Sequence, residues 1–436
     1  MQKIKDAITP FKKPLIILLI LGVFFVIAKG IIPAVNEKNA AKTPIVKIEA
    51  KNDKTYKNGA KITASDFEVK GIHKDGKKTS LRPKDFEVSK TAPAKIGKFT
   101  TVTLSLKTDK TISCKVNVKN ERKKVETFAC GNPKMDSVKA VLYSNGELSF
   151  EGKGDIVQYE SGTYPWQQYS GDTVIQSVSF GKGVKPESLD YAFANMTNIT
   201  YVDVIPSSVQ SLCGTFIGDT ALKETPDVSN CKNLLDMSKA YQESGIEKAA
   251  AIPESVRNAD SCFENCTEIQ IAPDMSKASG LISAKAMFSG CKKIAKLSLA
   301  PNVEDIENIC RNCINLKEMP EIPETVKNMD SAFYGNTRLK KVTNIPQNVE
   351  KASSCFNGCT KLEGMLWIDA NPKEYSGFLG DAVTATTLDL QGNSKMLDVL
   401  ANTAEDNLNI TVNGKQPEDI TPYSDVVIEE DSDNAE

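Results

Sequence analysis

The sequence predicts a multidomain chain: a transmembrane helix, then a small all-β sandwich, then a long α/β repeat solenoid with a parallel sheet. Three observations carry this expectation. An apolar run from Pro14 to Ala28 follows four early lysines. Short alternating apolar–polar runs separated by Gly and Asn turns fill the chain from Ile45 to Lys119. From Phe193 onward, an aromatic residue returns at a nearly fixed interval.

Residues 1–13, with Lys3, Lys5, Lys12 and Lys13, read as a cytoplasmic tail, and residues 14–35 as a membrane anchor. About 20 residues cross a bilayer. The run reaches that length if Phe11 joins it, or if Lys29 snorkels to the headgroups. Lysines on the amino side favour that end staying in the cytoplasm. Single-pass anchoring with an extracellular remainder is the expectation. Cleavage after Ala28, with Val26 and Ala28 as the small residues, is the alternative and gives a secreted protein.

Residues 44–119 read as an all-β domain. Ile45–Ala50, Phe67–Val69 and Thr101–Leu106 alternate, Cys114–Val118 closes the set, and Asn58-Gly59, Lys74-Asp75-Gly76 and Ile96-Gly97 supply turns. The phrase Tyr56-Lys57-Asn58-Gly59, followed by Asp66-Phe67-Glu68-Val69 and then Gly97 and Val102, resembles bacterial immunoglobulin-like domains. That resemblance implies a stalk or spacer module. His73, the single histidine, falls beside an expected turn and reads as a surface residue. Residues 120–135 read as a charged linker.

In the solenoid the aromatic stands at Phe193, Phe216, Tyr241, Phe263, Phe288, Phe333, Phe356 and Phe378, with Cys310 in the place of one ring; the intervals are 23, 25, 22, 25, 22, 23, 23 and 22. One unit of this size cannot bury its own apolar face, so stacked neighbours must share a core. Ile345-Pro346-Gln347-Asn348-Val349 leads to Cys355-Phe356-Asn357-Gly358-Cys359, as Ile252-Pro253-Glu254-Ser255-Val256 leads to Cys262-Phe263-Glu264-Asn265-Cys266. Apolar residues after the aromatic suit a strand, proline ends it, and the spacer is expected to return as a short helical or irregular segment. The spacer varies: proline precedes the aromatic by 15 residues after Pro226 and Pro273, and by 10 after Pro206, Pro253, Pro323 and Pro346. These residues resemble BspA-type leucine-rich repeats. The resemblance covers about Asp136 to Val412 and implies a curved solenoid with the sheet on its concave side: an amino-terminal cap over 136–190, repeats over 191–378, and a closing cap over 379–415. Residues 416–436 are acidic and apolar-poor, a composition that favours disorder.

Charge is unevenly spread. Lys and Arg outnumber Asp and Glu by 21 to 9 between Thr43 and Val125, while beyond Val125 the count is 26 to 45. The basic residues are interleaved along expected strands with few aromatics to stack bases, which speaks against nucleic-acid binding. Cys266, Cys291, Cys313 and Cys359 each lie three places past the aromatic position, so they read as buried thiols along the stack and not as metal ligands. Cys114 and Cys130, outside the repeats, are the remaining candidates for a disulfide. No catalytic residue, metal site or cofactor is expected: G-x-S-x-G, H-E-x-x-H and a Gly-rich phosphate loop are all missing from the sequence. Trp166 and Tyr169 read as packing the cap against the first repeat, with a ligand anchor as the second reading.

Candidate binding residues are those pointing outward from the sheet by strand alternation: Tyr201, Asp203, Glu224, Lys296, Ser298, Glu318, Lys341 and Thr343. The expected function is cell-surface adhesion, as the resemblance implies, with an extracellular protein or glycan as partner and the membrane as anchor. A structural envelope or spacer protein without a foreign ligand, and a surface hydrolase with an unrecognised carboxylate pair, are the other readings.

Overall fold

The structure, a computed structural model, describes residues 43–56, 61–89, 99–380, 387–392, 394–403 and 410–415. The expected cytoplasmic tail and anchor, residues 1–35, and the acidic tail, 416–436, lie outside the described residues. Among the described residues no helix is long and apolar enough to cross a membrane. The chain divides into two compact units, Met1–Lys123 and Lys124–Glu436.

The described residues of the first unit are built on β-strands. Strands β1 (Ile45–Lys51), β3 (Glu68–His73) and β4 (Lys78–Leu81) form one antiparallel sheet. The second sheet has the order β2 (Thr55–Tyr56), β7 (Ser113–Asn120), β6 (Phe99–Leu106), β5 (Phe86–Val88). Inward residues of both sheets, among them Ile48, Val69, Phe86, Val102, Leu104 and Val118, share one core. His73 departs from its expected place on the surface. It ends β3 and is buried, with Nδ1 at 2.6 Å from the Thr43 carbonyl and Nε2 at 2.8 Å from Thr79 Oγ1. Strand alternation puts its ring on the face shared with Val69, and the two hydrogen bonds satisfy both ring nitrogens there.

The second unit opens with a cap. Its sheet runs β14 (Tyr201–Val202), β13 (Ser177–Phe180), β11 (Glu147–Gly152), β10 (Val138–Tyr143), β8 (Lys124–Ala129). The stretch expected as a linker, 120–135, therefore carries β8, which pairs with β10 and covers the outer edge of the sheet. A two-stranded ribbon of β9 (Gly131–Asn132) and β12 (Asp155–Ile156) lies beside it. The Asn145-Gly146 turn joins β10 to β11 with Gly146 at φ +77°. Pairing then changes from antiparallel to parallel at β11–β13, where the repeats begin.

The repeats stack as coils joined by two parallel ladders. One passes through Ser188, Ser211, Asp236, Asn258, Ser283, Asp305, Asn328, Lys351 and Glu374; the other includes Glu224–Lys248–Ile271 and Glu318–Lys341–Glu363. Mid-solenoid contacts are single-residue bridges. Beyond the parallel pairs β11–β13 and β13–β14 at the start, parallel strands among the described residues return at the end, in β15 (Asn344–Ile345), β16 (Glu363–Ile368), β17 (Thr387–Gly392) and β18 (Ile410–Val412). The expectation of an α/β solenoid is corrected here: among the described residues the one α-helix is α1 (Met396–Thr403), and the return around the aromatic is not helical.

The reason lies in the backbone. From Phe193 to Phe356, the residue two places before the ring position and the one two places after it have positive φ in every copy. The second of these is Asn195, Gly218, Glu243, Asn265, Gly290, Asn312, Gly335 and Gly358 in turn, so Gly or Asn in all copies but one. Those residue types enter the left-handed region at least cost. Two left-handed residues break any α-helix and aim alternate amides along the solenoid. Leu189, Tyr191, Phe193 and Asn195 donate to the carbonyls of Ser211, Cys213, Thr215 and Ile217 one coil on. Leu212, Gly214, Phe216 and Gly218 repeat this toward Asp236, Ser238, Ala240 and Gln242. The intervening amides turn back within the coil, as Ala192 does to Leu189 and Met196 to Phe193.

This ladder sets the rings in a column. Phe193, Phe216, Tyr241, Phe263 and Phe288 stack at centroid separations of 5.6, 5.6, 5.3 and 5.8 Å, within 20° of parallel. Phe333 and Phe356 resume it at 5.7 Å beyond Cys310, and Phe378 closes it edge-on at 88°. A second column lies three residues further along. There Cys266, Cys291, Cys313 and Cys359 donate S–H to the carbonyl of the preceding coil's ring residue at 2.9–3.0 Å. Asn336 does the same with its amide, to Cys310 at 2.9 Å. Five copies thus place a side-chain donor at this position.

Asp219 occupies that position after Phe216, and neither carboxyl oxygen is hydrogen-bonded. Burial pushes its carboxyl well above the usual range, with the Met196 backbone opposing only weakly. A carboxyl raised in the folded state stabilises fully only below its unfolded pKa of about 3.9, and that contribution is lost as pH rises through the raised value. Asp219→Asn keeps a donor without the charge. By urea denaturation at pH 7 it is expected to be more stable than wild type by about 1–3 kcal/mol, with the gain shrinking as pH falls toward 4.

Candidate functional site

Of the residues singled out from the sequence, Glu224, Glu318 and Lys341 bridge neighbouring coils on the second ladder. Tyr201 is 55% exposed and pairs with Ser177 on the cap side. Glu224, Lys296, Ser298, Glu318 and Lys341 are exposed, while Asp203 and Thr343 are half-buried. These side chains are not equally available. Glu318 and Lys341 form an ion pair at 3.1 Å, and that hydrogen bond holds the Glu318 carboxyl below its usual range, with Lys296 adding a smaller pull. Asp203 Oδ1 accepts from the Val204 amide at 2.9 Å. Thr343 Oγ1 is buried and unpartnered.

Lysine–carboxylate pairs between successive coils recur across the unit: Lys223–Glu247 at 3.3 Å, Lys293–Glu268 at 2.6 Å, Lys327–Glu304 at 2.7 Å and Lys351–Glu374 at 2.8 Å. Such exposed pairs contribute little stability each. They do neutralise a large part of the surface.

Apolar exposure on the same ladder was not anticipated. Ile271, at the ladder position, is 73% exposed; Met365 and Trp367 on β16 are 52% and 40% exposed. Met365 stands opposite Asp389 and Trp367 opposite Gln391 and Asn344. Asp389 accepts from Thr411 Oγ1 at 2.6 Å and from Gln391 Nε2 at 2.5 Å, and Trp367 Nε1 donates to Asp369 at 2.6 Å. An indole and a thioether thus share a face with carboxylate, amide and hydroxyl groups. In the sequence the run Gly364-Met365-Leu366-Trp367-Ile368 hides this face, because apolar residues occupy both sides of the strand. Only the inward pair, Leu366 and Ile368, is buried.

Trp166 is wholly buried, its ring 5.1 Å from Phe150 and 6.4 Å from Phe193. It therefore packs the cap and is no ligand anchor. It also closes the axial ladder. Gln158 Nε2 donates to Ser188 O at 2.8 Å, Tyr164 Oη to Asp190 O at 2.9 Å and Trp166 Nε1 to Ala192 O at 2.7 Å. These are alternate carbonyls of the first repeat coil, which would otherwise point into the cap unpaired. Tyr169 Oη donates to Glu126 on β8 at 2.5 Å.

All eleven cysteines are free, Cys114 and Cys130 included. Burial raises the thiols of Cys130, Cys231 and Cys266 to about 11 and of Cys359 to about 12. No group of three or more His, Cys, Asp or Glu among the described residues is placed to hold a metal.

With the coil geometry in place, similarity to known proteins can be set beside it. Residues 237–363 match the BspA type Leucine rich repeat region, in six copies. Residues 237–363 of the solenoid are thus similar to leucine-rich repeats. The matched stretch holds the coils from Met237 through Glu363, with both ladders and most of the ring column. Among solved structures, a leucine-rich repeat protein from Bacteroides ovatus ATCC 8483 is similar at 18% identity, over 66% of this chain and 76% of that one, with a TM-score of 0.48. A leucine-rich repeat protein from Eubacterium ventriosum ATCC 27560 is similar at 16% identity over 61% and 87% of the two chains, TM-score 0.26. The pneumococcal vaccine antigen PcpA is similar at 15% identity over 67% and 98%, TM-score 0.28. No curated protein matches in sequence.

Two outcomes test the stacked coils and their cap. Trp166→Phe keeps the ring but strands the Ala192 carbonyl, and urea denaturation should show a loss of about 1–3 kcal/mol. With a dithiobis(nitrobenzoate) assay, only the partly exposed Cys114 and Cys213 are expected to react in the native protein, and all eleven thiols in denaturant.

Proposed function

We propose that this chain is a membrane-anchored cell-surface binding protein, which presents the second-ladder face of its leucine-rich-repeat solenoid to an extracellular protein or glycan. The observation that carries the reading is the exposed Trp367–Met365 pair on β16, bordered by Asp389, Gln391 and Thr411. Exposed aromatic anchors with adjacent hydrogen-bonding groups dominate the energetics of binding surfaces, and solenoids offer broad faces for such anchors. Tyr201, Asp203, Glu224, Lys296, Ser298, Glu318, Lys341 and Thr343 extend the same ladder face along the stack. The ion-paired members, Glu318 and Lys341, set register and specificity more than affinity.

Supporting the location are the apolar run at residues 14–35 and the lysines before it. The first unit, with its resemblance to bacterial immunoglobulin-like domains, serves as the stalk. Binding arrays of glycans and matrix proteins, probed with the full chain, test the reading. Trp367→Ala is expected to weaken the strongest hit by about tenfold or more. Unchanged binding by Trp367→Ala and by substitutions along the whole ladder would rule out this face. Self-association without any array hit would favour an envelope protein.

A further inference from the structure

The unequal spacers leave a notch on the proline-loop side of the solenoid, away from the ladder face. The coil of Pro253 has a spacer of 10 residues, and its neighbours, at Pro226 and Pro273, have 15. The short coil is therefore flanked by two longer loops. Between them lies a cavity of about 740 Å³, floored by Ile252–Ser255 and walled by Ser229 and Lys232 on one side and Lys277 and Ser279 on the other. That volume lies within the range of small-molecule sites.

Two features place specific polar groups in the notch. In the other short coils, the residue two past proline hydrogen-bonds to the preceding coil: Ser208 Oγ to Pro186 O at 2.8 Å, Thr325 Oγ1 to Val303 O at 2.7 Å, and Asn348 Nδ2 to Glu324 O at 2.8 Å. Ser255 holds that place in the short coil, but its hydroxyl is buried and has no partner. Second, Lys232, Arg257 and Lys277 line the notch. Unlike Lys341 and Lys351 of the ladders, none of the three forms an ion pair among the described residues; Arg257 Nη1 donates to the Gly280 carbonyl at 3.2 Å. Glu254, the one carboxylate in the lining, accepts from Ser279 Oγ at 3.4 Å. Three cations thus converge in a part of the chain where acidic residues predominate.

We propose that this notch is a second binding site, for an anionic saccharide whose carboxylate or sulfate meets Lys232, Lys277 and Arg257 and whose ring hydroxyl pairs with Ser255. Charge-assisted hydrogen bonds supply the affinity. The serine hydroxyls of the lining suit a hydroxylated ligand better than an acidic peptide. The proposal rests on the proposed function only in treating the solenoid as the binding part of the chain.

Calorimetry with the full chain at low salt tests it, using four probes: a sulfated oligosaccharide, a uronate oligosaccharide, a neutral oligosaccharide of equal length and a poly-glutamate peptide. An anionic saccharide is expected to bind and the neutral one is not, with the stronger of the two anionic probes identifying sulfate or carboxylate as the group read. Lys232→Ser with Lys277→Ser should weaken binding by roughly tenfold or more, and Ser255→Ala, which keeps every charge, by roughly threefold. Trp367→Ala should leave it unchanged, so the notch and the ladder face fail or stand separately. Wild-type affinity in both the lysine double variant and Ser255→Ala, lack of binding by both anionic saccharides, or poly-glutamate binding as tightly as they do would overturn the assignment. Should the double variant lose its wild-type melting curve, Ser255→Ala alone decides.

Discussion

The axial hydrogen bond between one coil's amide and the next coil's carbonyl is the constraint on which the solenoid depends. Four such bonds surround each ring position from Phe193 to Phe333, and they form only because a left-handed residue stands on either side of it. With that backbone fixed, the ring has one place to go, directly over its predecessor. The 5.3–5.8 Å stacking from Phe193 to Phe288 follows from the ladder, not the reverse. Cys310 supports this order of causes. Its amide still donates to Ala332, and the coil keeps its place without an aromatic.

The same constraint explains the composition of the neighbouring column. A carbonyl from the ring residue faces the following coil, and a thiol or amide answers it. Cysteine suits the role because it is small and largely apolar yet still able to donate. Asp219 stands at the same position with neither carboxyl oxygen hydrogen-bonded and its carboxyl raised by burial. Tyr241 is a related misfit, a tyrosine in a column of phenylalanines whose hydroxyl is buried without a partner. Both are tolerated because the surrounding ladder over-determines the fold.

Much of this was legible in the sequence, and for physical reasons. The period, the proline, and the Gly or Asn followed by Cys each mark a backbone requirement that few residue types meet. The conformation of the return was not legible, since Ser331, Ser354 and Ala286 adopt positive φ without any compositional sign. His73 was misplaced because a neighbouring turn outweighed strand alternation. Outward residues of the ladder could be counted along the chain, but which of them pair with lysines one coil away depends on register between coils. Trp367 escaped notice because β16 is apolar on both faces, and the orphaned Ser255 emerges only when four coils are laid side by side.

The amides around the rings point toward the far end of the stack, while ladder amides such as those of Leu235, Asp236, Glu247 and Lys248 point back to the preceding coil. Along its ring side alone the solenoid is a one-way rod of hydrogen bonds. There carbonyls face the cap and amides the far end, so the two lids need opposite chemistry on that side. Gln158, Tyr164 and Trp166 meet the first requirement as three side-chain donors. The lids of such a rod are not interchangeable, and duplicating an inner coil lengthens it without altering what either lid must supply.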